Sequence, residues 1–174
     1  VAWFSIEVKG RAAHAGTEPE KGRNAINALI KILPSVQVLQ DLEKGTTINI
    51  GTIEGGVVTN MVAPSAAASV DMRFEVPAEW DRVKTWLDSI SGEKDGIRVA
   101  WSGGVKYVPM ERTPGVVKLY EVVKRAGEAL GVSLRENSSG GGADSGFTAA
   151  LGVPTICAVG PYGGNMHSPE EFLY

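Results

Sequence analysis

Apolar and polar residues alternate through Trp3-Phe4-Ser5-Ile6-Glu7-Val8-Lys9, and this period of two predicts a strand over residues 3–9. The turn-rich stretch His14-Ala15-Gly16-Thr17-Glu18-Pro19 follows. From near Gly22 the period lengthens, and Ala25, Ile26, Leu29, Ile30 and Leu33 fall on one face of a helix. Pro34 is expected to kink or interrupt that helix because it brings no N–H to the ladder, with Val38, Leu39 and Leu42 continuing the pattern beyond it. Residues 46–53 predict a second strand, and Gly55-Gly56 opens a loop through Asn60 to Pro64. The clearest alternation sets Ala66, Ala68, Val70, Met72, Phe74 and Val76 against Ser65, Ala67, Ser69, Asp71, Arg73 and Glu75, one buried face and one largely polar. Pro77 ends that strand. Trp80, Val83, Leu87 and Ile90 then form a helical stripe, and Ile97, Val99 and Trp101 a last strand.

Residues 1–104 therefore read strand–helix–strand–strand–helix–strand, the split βαβ order of an α+β ferredoxin-like domain. An antiparallel sheet with both helices on one face leaves the other face and an edge strand open. Open edges are usually covered or paired, which points to dimerisation through this unit. After Gly103-Gly104 the pattern changes. Thr113-Pro114 is a good N-cap and first-turn pair for a helix over 114–130 that ends at Gly131. A short strand (132–136), a glycine loop, a helix (144–151) and a strand (154–159) are expected next. Two short strands do not make a stable parallel sheet, so residues 105–174 read as an incomplete α/β segment of a larger domain.

Composition narrows the function class. The 174 residues carry 43% hydrophobic and 21% charged residues, ordinary globular usage, while the 22 glycines gather in loops. The net charge of −3 has mixed signs, which argues against a nucleic-acid face. No signal peptide or membrane-spanning run is visible, although the chain opens inside a strand-like run and does not begin with Met. The single Cys157 excludes a disulfide framework within the chain and fits a reducing, cytoplasmic setting. It lies in the apolar run Pro154-Thr155-Ile156-Cys157-Ala158-Val159 and is expected to be a buried packing residue.

Candidate chemistry concentrates in a few places. Ser138-Ser139-Gly140-Gly141-Gly142-Ala143-Asp144-Ser145 is a glycine run opening a helix, where backbone can approach a substrate closely. Gly163-Gly164-Asn165-Met166-His167-Ser168-Pro169-Glu170-Glu171 places a histidine directly before a second helix start. There Ser168, Pro169 and Glu171 read as a capping box, which explains 168–171 and leaves His167 either a metal ligand or merely the preceding residue. His14 is either a solvated turn histidine or a functional one. From the residues alone Asn60 reads as the end of a turn, and Arg73, on the polar face with Asp71 and Glu75, as half of a cross-strand ion pair. With two histidines and no His-x-Asp, His-x-x-x-His or cysteine pair, the chain by itself does not offer the three or four ligands of a zinc site.

Taken together these motifs resemble the zinc-dependent metallopeptidase superfamily of glutamate carboxypeptidases, aminoacylases and succinyl-diaminopimelate desuccinylases, and most resemble the glutamate carboxypeptidase branch. The resemblance rests on five motifs in order. These are Gly10-Arg11-Ala12-Ala13-His14-Ala15-Gly16 with Pro19, Gly22, Asn24 and Ala25; Asn60-Met61-Val62-Ala63-Pro64; Asp71-Met72-Arg73; Gly140-Gly141-Gly142-Ala143-Asp144; and Gly163 to Glu171. It implies a lid, or dimerisation, domain over residues 1–104, part of an α/β catalytic domain over 105–174, and a homodimer whose His14 crosses into the partner's site to stabilise the oxyanion of a tetrahedral intermediate. It implies Asn60 as a second polar contact, Arg73 as the binder of a substrate carboxylate, Gly141 and Gly142 as backbone lining the pocket, and His167 as one ligand of a two-zinc site. The implied substrate is a small peptide or N-acyl amino acid. The family's other metal ligands and its general-base glutamate precede the part represented here, so a catalytically inactive dimerisation module is the alternative. Two departures stand out. Tyr107 occupies the place of an arginine common before the domain junction, which weakens glutamate specificity, and Ala143 stands where Thr or Ser is usual.

Overall fold

The central strand of the molecule is β1 (Ala2–Lys9), and its alternation is realised residue by residue: Ala2, Phe4, Ile6 and Val8 are buried, while Trp3, Glu7 and Lys9 face outward. A computed structural model describes residues 1–174 and divides them into two units, Val1–Pro109 with Ser139–Gly142, and Met110–Ser138 with Ala143–Tyr174.

In the first unit β1 is followed by α1 (Ala25–Gln37), β2 (Thr47–Gly55), β3 (Ser65–Arg73), α2 (Pro77–Ile90), the three-residue β4 (Gly92–Lys94) and β5 (Ile97–Val105). The antiparallel sheet has the order β2-β3-β1-β5-β4, so the α+β ferredoxin-like fold expected from the alternation is the one formed. Strand β1 pairs with β3 from Ala2↔Met72 to Lys9↔Ser65, and with β5 from Ala2↔Val105 to Lys9↔Arg98. The inward residues of β1 and β3 pack with Leu29 and Val36 of α1 and Val83 and Leu87 of α2 in one core. Trp80 joins it, tilted at 48° against Phe4 and edge-on to Trp101, with ring centroids 6.3 and 6.2 Å away.

Asn24 caps α1 by accepting from the Asn27 N–H, and the helix runs one turn past Pro34 before it ends. The continuation through Leu42 does not form. Val38 and Leu42 are exposed, and Leu42–Lys44 makes only a 3-10 turn. A polar clamp closes this end of the core. Glu79, 5% exposed in the first turn of α2, accepts from the buried Thr46 hydroxyl at 2.8 Å and from Arg82 Nη2 at 2.7 Å. Arg82 also donates to the Leu39 carbonyl, so the Glu79–Arg82 pair fastens α2 to both ends of the connection between α1 and β2.

The second unit contains α3 (Pro114–Ala129), capped by Thr113, then α4 (Ser145–Ala150) and a small ladder between β6 (Gly163–Gly164) and β7 (Phe172–Leu173). The strands expected at 132–136 and 154–159 do not form. A strand needs a ladder partner, and neither segment has one within these 174 residues. Side chains hold them instead: Tyr120 donates to the Leu134 carbonyl, Arg112 makes a two-bond fork with Glu136, and Thr148 bonds Thr155. For the same reason Cys157, expected in the core, is exposed.

The Arg82 fork, followed by the Thr46 hydroxyl, holds the Glu79 carboxyl below its ordinary 4.5 against the opposing effect of burial. A depressed carboxyl stabilises the fold above its unfolded pKa, and that contribution is lost as pH falls through the folded value. Glu79→Gln is therefore expected to cost about 1–3 kcal/mol at neutral pH. The gap from wild type should narrow as urea unfolding is repeated below pH 4.5.

Candidate functional site

His14 and Asn60 are brought together where β1 ends. Beyond Lys9 the chain is laced to two neighbours: Gly10 N–H donates to the Pro64 carbonyl, and Arg11 exchanges both backbone bonds with Arg23. The Val62 N–H then reaches the Ala13 carbonyl, the Ala15 N–H reaches the Asn60 carbonyl at 3.0 Å, and His14 lies opposite Met61. Gly10 is where this lacing requires glycine, since a Cβ there would stand 1.9 Å from the Arg23 carbonyl oxygen. His14 is exposed, and its Nδ1 accepts from the N–H groups of Gly16 and Thr17 at 3.1 and 3.2 Å. With Nδ1 occupied as an acceptor, the neutral ring carries its proton on Nε2. The exposed side of the ring is then a hydrogen-bond donor, the group a developing oxyanion needs.

Arg73 and the glycine loop form a second cluster. The Arg73 guanidinium donates from Nε to Asp71 Oδ1 at 2.6 Å and from Nη2 to Asp71 Oδ2 at 2.8 Å, while Nη1 donates to the Gly140 carbonyl at 3.1 Å. The ion pair runs along β3 to the residue two positions earlier, not across strands as expected, because Asp71 and Arg73 share one face of the same strand. Gly141 N–H donates to Ser139 Oγ. Gly142 lies on the Tyr107 ring so closely that a Cβ would come within 2.6 Å of Cδ2. Tyr107 thus serves as the seat of the glycine loop.

The two clusters sit at opposite ends of the sheet. His14 follows the Lys9 end of β1, whereas Arg73 lies beside the Ala2 end, where Ala2 pairs with Met72. Eight residues of strand separate them, about 25 Å.

His167 belongs to the second unit and is exposed. The expected helix at Ser168 is absent. Ser168 Oγ accepts from Glu170 N–H, Glu171 turns its carboxylate back to the His167 N–H at 3.2 Å, and the chain enters β7. No group of three or more His, Cys, Asp or Glu residues is arranged to hold a metal ion, so the residues present do not by themselves fit a zinc site.

Reading the sequence alone gave no role to Trp3, whose indole Nε1–H donates to Asp71 Oδ2 at 2.7 Å. Alternation puts Trp3 on the outer face, but its position opposite Asp71 depends on the β1–β3 register.

Gly10→Ala is expected to destabilise the first unit by about 1–3 kcal/mol through displacement of the Arg11–Arg23 lacing. Gly16→Ala, whose Cβ would meet nothing nearer than the His14 ring at 3.6 Å, is expected to be close to neutral. Urea unfolding of the pair checks both.

A family model described as the peptidase dimerisation domain matches residues 1–97. An uncharacterised protein of Bacillus subtilis (strain 168), YqjE, is 33% identical over 84% of this chain and 40% of its own length. Carboxypeptidase G2 of Pseudomonas sp. (strain RS-16) is 28% identical over 98% of this chain and 42% of its own. Among solved structures, aminopeptidase PepT of Bacillus cereus superposes with a TM-score of 0.78 at 29% identity, covering 98% of this chain and 46% of that one. A Staphylococcus aureus tripeptidase superposes at 0.69 and 27% identity, with 98% and 45% covered. The chain thus spans about two fifths of the length of the curated relatives it matches. The ferredoxin-like sheet, the order of its motifs and these matches agree: the chain belongs to the dimerisation-domain family of the M20 peptidases.

Proposed function

We propose that this chain is the dimerisation domain, with an adjoining catalytic segment, of a homodimeric metal-dependent amidohydrolase. The enzyme cleaves the amide bond of a small peptide or N-acyl amino acid in a site shared between two copies. The observation that carries this reading is the separation of His14 and Asn60 from Arg73, Gly141 and Gly142 by the length of β1. A dipeptide spans only about 7 Å, so one copy cannot bring both clusters to one small substrate.

The open edge of β2 supports the reading, since two copies could pair there about a two-fold axis. Strand β2 lies at the sheet edge, carries one charge, Glu54, and is continued by the exposed Val57 and Val58. The opposite edge is the short β4, with Glu93 and Lys94. In β2, Thr47 stands beside Arg73 and Gly55 beside Ala66, at the end from which His14 follows. Antiparallel pairing of two β2 strands sets the Gly55 end of one copy against the Thr47 end of the other. That brings one copy's His14 end alongside the second copy's Arg73 end.

In this site His14 Nε2–H donates to the oxygen that gains charge as the amide carbon becomes tetrahedral, and Asn60 adds a polar contact. Arg73 holds a substrate carboxylate with the Nη hydrogens not taken by Asp71 and Gly140. Gly141 and Gly142 present backbone to the substrate. His167 would supply one ligand of a two-zinc site that would activate water for attack on the amide, and the roles of His14 and Arg73 do not pass through that metal. A second reading, an inactive dimerisation module, is favoured by the lack of a converging metal set within the chain.

The test mixes two full-length variants at substrate well below KM, where each alone keeps about a tenth of wild-type activity or less. If the site is shared, a His14→Ala/Arg73→Ala heterodimer holds one intact site, and random reassortment restores about a quarter of wild-type activity. No recovery in verified heterodimers would place both clusters in one copy's site and overturn the shared-site reading. Separately, His14→Ala is expected to lower kcat about 100-fold or more. Arg73→Ala is expected to raise KM about tenfold for substrates with a free carboxylate and little for amidated ones. Steady-state kinetics on matched substrates separate the two effects.

A further inference from the structure

We propose that Trp3 and Asp71 are positioning residues that act through Arg73: they lock its guanidinium so that it straps the Ser139–Gly142 loop and leaves one fixed donor edge for a carboxylate. The carboxylate part rests on the functional reading above; the strap does not.

The register builds this relay. Trp3 of β1 stands directly opposite Asp71 of β3, and Arg73 lies two residues on, on the same outer face. Trp3 is 49% exposed, an unusual surface cost for an indole, yet its N–H is committed to Asp71 Oδ2. Asp71 then receives two parallel bonds from Arg73, a side-on fork that fixes the guanidinium plane as a single bond would not. Of the five N–H donors two are spent on Asp71 and one on the Gly140 carbonyl. Two Nη hydrogens remain, and their direction is set by the Asp71 fork. The Arg73 stem lies against the loop as well, with its Cβ 3.8 Å from where a Gly140 Cβ would be.

The loop depends on this strap. Residues 139–142 belong to no ladder, and three glycines give them wide conformational freedom. Their other anchors are the Ser139 hydroxyl on Gly141 N–H and the Tyr107 ring under Gly142. Loss of the Asp71 carboxylate leaves the guanidinium free to rotate. The Gly140 contact and the orientation of the remaining donors then go together.

Backbone 15N relaxation on the 174-residue chain tests the strap. Order parameters of the Gly140–Gly142 amides are expected near about 0.8 in the wild type and below about 0.6 in Asp71→Asn and in Arg73→Ala. Trp3→Phe, which keeps the ring and loses the N–H, should give a smaller drop. The Asp71→Asn/Arg73→Ala double variant should be no looser than Arg73→Ala alone, because Asp71 acts only through Arg73. The Phe4 and Val70 amides of the sheet report that the fold is intact. Unchanged loop order in Asp71→Asn, or additive loosening in the double variant, overturns the proposal. In the full-length enzyme Asp71→Asn should raise KM for carboxylate substrates about tenfold at constant kcat. A loosened loop with unchanged KM would keep the strap and count against the carboxylate role of Arg73.

Discussion

Strand β1 is hydrogen-bonded along its whole length on both sides, to β3 and to β5, and the rest of the first unit takes its positions from that double pairing. Slippage by one residue on either side would turn Phe4, Ile6 and Val8 out of the core and bring Trp3, Ser5 and Glu7 into it. The apolar face therefore fixes the register, and the register fixes everything attached to the strand ends. One end passes into the laced loop that carries His14 against Asn60. The other end brings Arg73 next to the glycine loop. Stability and the layout of the candidate site rest on the same set of bonds.

The outer face of the sheet shows how charge is managed where no core protects it. Asp71 neutralises Arg73 and accepts from Trp3, so a half-exposed cation keeps one orientation without burial. The isolated worth of such a surface pair is small. Its bidentate geometry matters more, because it turns a flexible side chain into a fixed bracket for a loop that has little structure of its own. Glu79 does comparable work inside the first unit, where a carboxylate shared by Thr46 and Arg82 fastens α2 to the residue that leads into β2.

The second unit follows a different rule. Helices α3, capped by Thr113, and α4 form from their own backbone ladders, whereas the segments at 132–136 and 154–159 remain without ladders. Helices satisfy their backbone groups internally, and strands cannot. The same contrast explains the exposure of Cys157.

Alternation and helical spacing determined the first unit by themselves: four main strands, two helices, the face each buries and the ferredoxin-like order. Those patterns are local consequences of a period of two or 3.6 against one apolar core. The short β4 escaped notice, since Gly92-Glu93-Lys94 has no apolar pattern and pairs only because a turn folds it onto β5. The motifs around His14, Asn60, Arg73, Gly141, Gly142 and His167 were also visible as residue types at defined spacings. Their grouping was not. That the loop carrying His14 pairs with the segment carrying Asn60, that Arg73 meets Gly140 instead of a cross-strand partner, and that the two clusters lie a strand's length apart depend on register and loop closure. These bring residues together across some 45 to 70 positions of chain. The strands at 132–136 and 154–159 mark the same boundary from the other side: sequence supplies the apolar run, but only a neighbouring strand can make it a sheet.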